Sequence, residues 1–335
     1  MLDDLAGDFS GARALITGGL GFLGSSLAHV LVSADAEVTL VDSLAPHYGG
    51  NVWSIAGIED RVRVEVGDVR DERLAASLVT GQDFIFNLAG QTSHFDSMVD
   101  PFTDLEMNCR AQLAVLEACR NHNRSAKIVF ASTRQIYGRP RYLPVDEKHP
   151  IVPVDVNGIH KTAGEWYHRL YGEVYGLRAA VLRLTNTYGP RMRVKDARLT
   201  FLGVWLRAVA SGEPFEIWGD GRQRRDFTYV DDAVRAFLLA ATRAEADGEV
   251  FNLGGPPSTL REVADLLIEV AGDGRYRLAP FPPEQHAIDI GDYYADYSKV
   301  TQRLGWEPLV SLREGLARTL TFYREQGVHY WDNPA

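Results

Sequence analysis

The stretch ARALITGGLGFLG, residues 12–24, decides the fold class of this chain. Ala12–Thr17 has the apolar composition of a buried strand, and Phe22–Ser33 has that of a helix. Between them, glycines let the backbone turn tightly and approach a bound group, in one of two registers, Gly18/Gly21/Gly24 or Gly19/Gly21/Gly24. The unpaired N–H groups and the positive dipole end of the helix then favour a pyrophosphate. The stretch predicts a dinucleotide-binding unit.

Two aspartates follow the next predicted strands. Asp42 ends the strand Glu37–Asp42 and stands 18 residues after Gly24. A carboxylate there accepts hydrogen bonds from both adenosine ribose hydroxyls and repels a 2′-phosphate. Because no Lys or Arg stands beside it, we expect NAD rather than NADP. Asp68 ends the third predicted strand, where it either meets the adenine or stabilises a turn.

Short apolar runs alternate with amphipathic stretches through the first half of the chain. Further strands are predicted at Arg63–Val66, Asp83–Leu88 and Lys127–Ser132, and Asp104–Arg120 has apolar residues at helical spacing. Apolar strands of this length, separated by helices, indicate a parallel sheet that is covered on both faces and takes its ligand at the carboxyl ends of the strands. The predicted class is α/β, a Rossmann doubly wound parallel sheet.

The second half is less regular. Its predicted elements are the helices Leu199–Ser211, Asp231–Ala244 and Thr259–Ala271, the last with Ser258 as N-cap, and the strands Phe215–Ile217 and Glu249–Leu253. We expect an NAD-binding domain of residues 1–185, to which residues 229–254 return. A smaller α+β substrate domain then comprises residues 186–228 and 255–335.

Composition excludes several classes of function. The net charge of −10 is unsuited to nucleic acid or an anionic membrane, so neither is expected as a partner. Cys109 and Cys119 are the only cysteines, which predicts buried thiols and no disulfide framework. The acidic start lacks the pattern of a signal peptide, and no window is apolar enough for a membrane helix. We expect a cytoplasmic protein without a metal site.

Several further segments follow the glycine loop in a fixed order. They are Asp42, Asp68-Val69, Leu88-Ala89-Gly90, Asn108, Ser132–Gly138 (STRQIYG), Lys161–Glu165 (KTAGE), Arg183–Pro190 (RLTNTYGP), Gly219–Gly221 (GDG), Arg225–Asp232 (RDFTYVDD) and Tyr294–Asp296 (YAD). With them the chain resembles the extended short-chain dehydrogenase/reductase family, specifically its nucleotide-sugar epimerases and dehydratases. The resemblance covers residues 12 to about 300, which is nearly the whole chain.

The resemblance implies NAD as cofactor. The residues matching its binding site are Gly18, Gly21, Phe22, Leu23, Gly24, Asp42, Asp68, Val69, Leu88, Ala89, Gly90, Asn108 and Lys161. In the family, NAD removes a hydride from a sugar carbon while a base takes the hydroxyl proton. Thr133 matches the hydroxyl residue that contacts the reacting oxygen, and Lys161 matches the lysine that binds the nicotinamide ribose.

The chain departs from the family at the base. Asn157 stands where relatives have a tyrosine, four residues before Lys161. An amide donates and accepts hydrogen bonds but does not exchange a proton at neutral pH. The candidates for another base are His94, His160 and a deprotonated Lys161. A reaction other than simple epimerisation, or a protein that only binds the cofactor, would also accommodate the change.

Other matches concern the substrate. Arg225 matches the arginine that binds the nucleotide diphosphate, Asp289 the carboxylate that binds the nucleotide ribose, and Asn186 the asparagine that contacts sugar or diphosphate. His286 occupies the position of a second diphosphate arginine. The basic run Arg191, Arg193, Lys195 and Arg198 is expected to help hold an anionic substrate. Where 4,6-dehydratases carry Asp-Glu after the threonine, this chain has Arg134-Gln135, which disfavours water elimination.

The sequence therefore predicts NAD-dependent epimerisation of a nucleotide-activated sugar through a keto intermediate, at C4. The alternatives are another NAD-dependent oxidoreductase, dehydratase or decarboxylase reaction on a sugar nucleotide, or a catalytically weak NAD-binding sensor or scaffold. The resemblance also implies a homodimer, in which the helices matching Asp104–Arg120 and Asn157–Tyr175 pair into a four-helix bundle.

Overall fold

The strands of the chain are defined in a computed structural model that describes residues 5, 7–45, 48, 50–195 and 200–331. They are β1 (Arg13–Thr17), β2 (Glu37–Asp42), β3 (Val62–Val66), β4 (Phe84–Asn87), β5 (Lys127–Thr133), β6 (Arg178–Leu184), β7 (Asn186–Tyr188), β8 (Phe215–Trp218), β9 (Arg224–Arg225), β10 (Phe227–Tyr229), β11 (Val250–Asn252), β12 (Ser258–Thr259) and β13 (Tyr276–Ala279). Each strand predicted in the first half is present, with ends that differ by at most one residue.

The helices connect and cover these strands. They are α1 (Phe22–Ser33), α2 (Glu72–Val79), α3 (His94–Val99), α4 (Pro101–Leu105), α5 (Ala111–His122), α6 (Val156–Tyr175), α7 (Phe201–Ala210), α8 (Val230–Thr242), α9 (Leu260–Ala271), α10 (Pro283–Ala287), α11 (Ser298–Leu304), α12 (Leu312–Gln326) and α13 (Val328–Trp331). None of these helices combines the length and the apolar character needed to cross a membrane.

Seven parallel strands form the main sheet, in the order β3-β2-β1-β4-β5-β6-β11. The strand order reverses between β1 and β4, and such a reversal opens a crevice at the carboxyl ends of the strands. The Rossmann α/β prediction is therefore confirmed. Strand β11 enters the sheet beside β6, so the chain returns to the sheet late.

The remaining strands form small two-stranded units. Strand β7 pairs with β10 and β8 with β13, both in parallel, and β9 pairs with β12 in antiparallel orientation. Together with α7, α9 and α12 they make the smaller α+β part. The exact division of the chain into two domains stays a prediction.

Two local expectations were wrong in detail. The N-cap of α9 is Thr259 rather than Ser258, because Thr259 and Glu262 form a reciprocal capping box. The expected single helix Asp104–Arg120 begins earlier, at Pro101, and contains a π-helical turn over Glu106–Arg110 before α5. Such turns insert one extra residue and occur often at functional sites. Leu199, the expected start of α7, lies outside the described residues.

Candidate functional site

A cavity of about 1140 Å³ lies at the carboxyl ends of β1, β2, β4 and β5. Because a pocket for one small molecule is roughly 300–1,000 Å³, this cavity has room for a dinucleotide and a second ligand. The glycine loop and Asp42 lie at one end, Thr133 and Lys161 in the middle, and Arg225 with the smaller part of the chain at the other end.

The glycine loop forms one wall of the cavity. Gly18, Gly21 and Gly24 line it, with Phe22 and Leu23, whereas Gly19 packs against Leu40. Gly18 has a φ of 67°, and a Cβ there would lie 3.1 Å from the backbone of Ala89. A Cβ on Gly24 would lie 2.3 Å from the carbonyl oxygen of Gly18. The loop therefore needs glycine both for its turn and for its contact with the helix.

Buried polar side chains form a series of hydrogen bonds from Thr17, at the end of β1, to His168 on α6. The Thr17 hydroxyl accepts hydrogen bonds from the backbone N–H groups of Leu88 and Ala89, each at 3.0 Å, and donates to Asn87 Oδ1 at 2.9 Å. Asn87 Nδ2 lies 3.1 Å from Nε2 of His168, whose Nδ1 lies 2.7 Å from the carbonyl oxygen of Gly164. Burial lowers the pKa of His168 to about 4. A neutral imidazole thus connects α6 to the backbone beside the glycine loop.

The end of the cavity beside the glycine loop contains four charged side chains. Asp42 accepts backbone N–H bonds from Leu20 and Leu44, and burial raises the pKa of this carboxyl group. Asp68 pairs with Arg70 at 2.5 Å, and Arg70 also contacts Glu106 at 3.1 Å. The sequence reasoning missed Arg70. Because two carboxylates already neutralise it, this arginine is poorly suited to hold a 2′-phosphate.

The middle of the cavity contains the expected reaction centre. Thr133 ends β5 and lines the cavity, as do Asn157 and Lys161 from α6. Lys161 Nζ donates to the carbonyl oxygen of Ala131 at 3.1 Å. Burial lowers the pKa of Lys161 to about 8, although the nearby carboxylate of Asp104 opposes this shift. A neutral Lys161 is therefore accessible near neutral pH.

Asn157 is held in a buried hydrogen-bond network. Its Nδ2 donates to the Gln91 carbonyl oxygen at 2.8 Å and lies 3.0 Å from Asp104 Oδ2 and 3.2 Å from Gln91 Oε1. The backbone N–H of Asn157 donates to Ser97 Oγ at 3.1 Å. The amide group thus satisfies acceptors from two neighbouring segments, and its role in the structure is to join them.

The candidate bases are placed differently. His94 lines the cavity, and its Nδ1 lies 3.2 Å from Oδ2 of Asp155. Although burial raises the pKa of Asp155, the charge of His94 and hydrogen bonds hold it below its usual value. His160 points to Asp104 instead, with Nδ1 at 2.7 Å from Oδ1, and it does not line the cavity. The geometry therefore favours His94 over His160.

The expected substrate residues divide into two groups. Asn186, Arg193, Arg225 and Asp289 line the cavity. Arg225 contacts Asp289 Oδ1 at 3.2 Å and the carbonyl oxygen of Gly291, and Gln223 donates to Asp289 Oδ2 at 2.7 Å. Asn186 Nδ2 donates to the Asp226 carbonyl oxygen at 2.8 Å.

The other expected residues lie away from the cavity. Arg191 is partly buried, and this burial lowers the pKa of its guanidinium group, although the charges of Tyr330 and Asp231 oppose the shift. His286 is exposed beside Phe281, with 5.3 Å between ring centres. Lys195 does not line the cavity, and Arg198 lies outside the described residues.

Among the expected cofactor residues, Val69, Leu88, Ala89 and Gly90 also line the cavity. Asn108 does not, but its Nδ2 donates to the Gln91 carbonyl oxygen at 2.9 Å from within the π-helical turn. The sequence reasoning named no role for Asp155 and gave Arg134 no role in binding. Only the spatial neighbours of these residues reveal their place at the site.

Comparison with known proteins identifies relatives of this arrangement. The model of the NAD dependent epimerase/dehydratase family matches residues 14–254. A putative UDP-glucose 4-epimerase of Methanocaldococcus jannaschii is 31% identical over 313 residues, which cover 92% of this chain and 98% of the relative.

Two solved structures are also similar. The UDP-glucose 4-epimerase of Thermotoga maritima, solved with UDP-glucose, has a TM-score of 0.85 at 32% identity and covers 93% of this chain and 99% of its own. A dTDP-glucose 4,6-dehydratase of Streptomyces venezuelae, solved with NAD, has a TM-score of 0.85 at 27% identity and covers 96% and 99%. These relatives catalyse different reactions on sugar nucleotides.

Proposed function

The chain belongs to the NAD-dependent epimerase/dehydratase family, and we propose that it epimerises a nucleotide-activated sugar at C4 through a keto intermediate. The observation that carries this proposal is the His94–Asp155 pair on the wall of the cavity, since it supplies the base that Asn157 does not. It also supports an active enzyme over a protein that only binds the cofactor.

The cofactor is NAD, and the residues of this chain fit it. Gly18, Gly21 and Gly24 line the cavity at the start of α1, where a pyrophosphate can approach the backbone N–H groups. Asp42 lies on the cavity wall where a ribose can donate to its carboxylate, and Lys161 lies near Gly90 for the second ribose. When bound, NAD accepts a hydride from the sugar and returns it.

His94 takes the hydroxyl proton in this mechanism. The Nδ1 atom of His94 lies 3.2 Å from Asp155 Oδ2, and with the ring proton on Nδ1 the Nε2 atom is the acceptor that a general base requires. Asp155 then stabilises the imidazolium that forms. Thr133 is available to contact the reacting oxygen from the end of β5. Lys161, whose pKa is about 8, favours loss of the proton by its positive charge.

The residues after Thr133 support epimerisation over dehydration. Gln135 carries no acid function, and its Nε2 already donates to Asp155 Oδ2 at 2.7 Å. Arg134 cannot act as a proton donor at neutral pH. The chain thus lacks the acid and base that the Asp-Glu pair supplies in dehydratases, so the keto intermediate is expected to accept the hydride back.

We place the nucleotide at the end of the cavity beyond Thr133. Arg225 provides positive charge for a diphosphate there and Asn186 an amide, while Arg193, whose Nη1 donates to the Tyr48 carbonyl oxygen at 3.0 Å, adds positive charge to the same cavity. The apolar rings of Phe201, Trp218 and Phe281 line the same end and suit the flat faces of a base.

A homodimer agrees with the surface of α6. Ile159, Trp166, Leu170 and Val174 are each at least half exposed and are separated by seven, four and four residues, so they share one face of the helix. Phe102 on α4 is 77% exposed. Apolar side chains on the surfaces of α4 and α6 are suited to burial against a second copy of the chain.

The test is turnover of UDP-glucose to UDP-galactose by the holoenzyme, with the variant His94→Gln. We expect a fall of roughly 10²–10⁴-fold in kcat, the usual contribution of a general base. His122→Gln is the matched control, because His122 is exposed on α5. A His94→Gln variant with unchanged kcat would assign the proton to Lys161. No turnover of any sugar nucleotide by the unmodified protein would refute the proposed function.

A further inference from the structure

Arg134 is a cation on the cavity wall that has no hydrogen-bond or ion-pair partner among the described residues. It opens the 3-10 turn Arg134–Tyr137 directly after Thr133 and lines the cavity. Its Nε is buried without a hydrogen-bond partner. Throughout the described part of the chain, no hydrogen bond or ion pair within 4 Å reaches its guanidinium group, which lies 5.8 Å above the ring of Tyr293.

Two buried arginines contrast with Arg134, which is partly buried. Arg183 forms an ion pair with Glu165 at 2.6 Å, and Arg225 contacts Asp289 at 3.2 Å. A buried charge is costly unless it is paired, because the protein interior solvates it poorly. Burial accordingly lowers the pKa of Arg134. The apoprotein therefore keeps an unpaired charge that a ligand can pair.

The carboxylates whose charges act most strongly on Arg134 already have other partners. They are Asp226, Asp289 and Asp155. Asp226 accepts hydrogen bonds from Thr185 and from the backbone N–H of Ala295. Asp289 is held by Arg225 and Gln223, and Asp155 by Gln135, Gly158 and His94. The charges of these carboxylates act on Arg134, but none of the three accepts a hydrogen bond from its guanidinium N–H groups.

The position of Arg134 links it to the sugar. It is the next residue after Thr133, so both side chains belong to the carboxyl end of β5. The charges that act on Arg134 include that of Asp155, whose Oδ2 lies 3.2 Å from His94 Nδ1, and Arg134 in turn acts on Arg225. Since Arg225 already serves the diphosphate in the proposed function, Arg134 is left for the part of the substrate between Arg225 and the reaction centre.

We propose that Arg134 binds a carboxylate on the sugar, so that the substrate is the nucleotide derivative of a uronic acid. This rests on the proposed function, because it requires a nucleotide sugar in this cavity. The planar guanidinium matches a carboxylate with two parallel hydrogen bonds. A neutral sugar would cover the cation without neutralising it and would bind less tightly.

The test compares two ligands that differ only at C6, UDP-glucose and UDP-glucuronic acid, by titration calorimetry on the holoenzyme. We expect the unmodified protein to bind UDP-glucuronic acid at least tenfold more tightly. Arg134→Gln should weaken binding of the acid roughly 10- to 100-fold, as expected for a hydrogen-bonded ion pair. Binding of UDP-glucose should change by less than about threefold.

Three controls keep the result interpretable. Arg141→Gln removes an exposed charge outside the cavity and should change neither affinity. Arg225→Gln should weaken both ligands alike. Arg134→Lys keeps the positive charge but cannot form two parallel hydrogen bonds to a carboxylate. It should therefore retain only part of the preference for UDP-glucuronic acid over UDP-glucose. Thermal unfolding should show that Arg134→Gln is as stable as the unmodified protein, because no described residue loses a hydrogen bond. If the Gln variant does not fold, Arg134→Met takes its place in the binding experiment.

Two outcomes would overturn the proposal. If Arg134→Gln weakens UDP, UDP-glucose and UDP-glucuronic acid equally, Arg134 binds the diphosphate. If the unmodified protein binds UDP-glucuronic acid no better than UDP-glucose, or not at all, the sugar carries no carboxylate. If Arg134 binds the diphosphate, or if the protein still binds UDP-glucose and turns it over, the proposed function holds and only this inference fails.

Discussion

Replacing Asn157 by tyrosine tests whether the site is a damaged epimerase or one with its own proton route. Asn157 is 1% exposed and its amide donates to Gln91 and Asp104. Tyr would remove the hydrogen bond to a charged carboxylate, which contributes about 1.5–3 kcal/mol. Forcing a larger side chain into a packed site costs about 1–3 kcal/mol.

The free energy of unfolding should therefore fall by roughly 2.5–6 kcal/mol. For 335 residues that unfold as one unit this lowers the Tm by about 4–9 °C. Differential scanning calorimetry measures this change, and Glu173→Tyr on the exposed face of α6 is the control for a tyrosine elsewhere on the helix.

Turnover of the Asn157→Tyr variant is the second measurement. With His94 as the proposed base, kcat should stay unchanged or fall as the ring crowds the cavity. A tenfold or greater gain in kcat, with an unchanged Tm, would refute this reasoning. It would mean that the network around Asn157 tolerates tyrosine and that the site had lost its base.

Three further outcomes are expected. Asp42→Ala should weaken NAD binding and reduce the discrimination against NADP, measured calorimetrically; tighter NADP binding by the unmodified protein would contradict the assignment. Arg193→Gln should raise the Kd of a nucleotide sugar while Arg191→Gln should not, because only Arg193 lines the cavity; equal effects would place both at the substrate. Stability should fall as pH drops from 6.5 towards 4, by up to about 3 kcal/mol, because unfolding lets His168 bind a proton that its burial disfavours. In urea unfolding, His168→Gln should reduce the dependence of the free energy of unfolding on pH. An unchanged dependence would mean that other groups cause it.

The first half of the fold could be predicted because its signals are local. The glycine loop, the helix Phe22–Ser33 and the strand Glu37–Asp42 depend on short apolar runs and on glycines at turns, and the structure has both elements with those ends. The cap of α9 was misplaced by one residue, since Ser258 and Thr259 are both good N-caps. Only the reach of Glu262 back to Thr259 distinguishes them.

The parts of the site that could not be predicted depend on distant contacts. His94 and Asp155 are 61 residues apart, and nothing in either neighbourhood indicates that they meet. In the basic run, Arg191 and Arg193 look equivalent in sequence. Arg191 adopts a φ of 70°, and in the structure only Arg193 reaches the cavity. A charge count along the chain carries no information about that conformation.

The late entry of β11 into the sheet has a consequence for synthesis on the ribosome. Leu184 ends β6, but its neighbour in the sheet is complete only at Asn252, roughly 70 residues later. At about 5–20 residues per second, β6 remains an open edge for some 3–14 s after it is made. An exposed strand edge pairs readily with other chains. The nascent chain is thus most prone to aggregate while the smaller part is being translated, although the segment that contains the glycine loop and Lys161 is already complete.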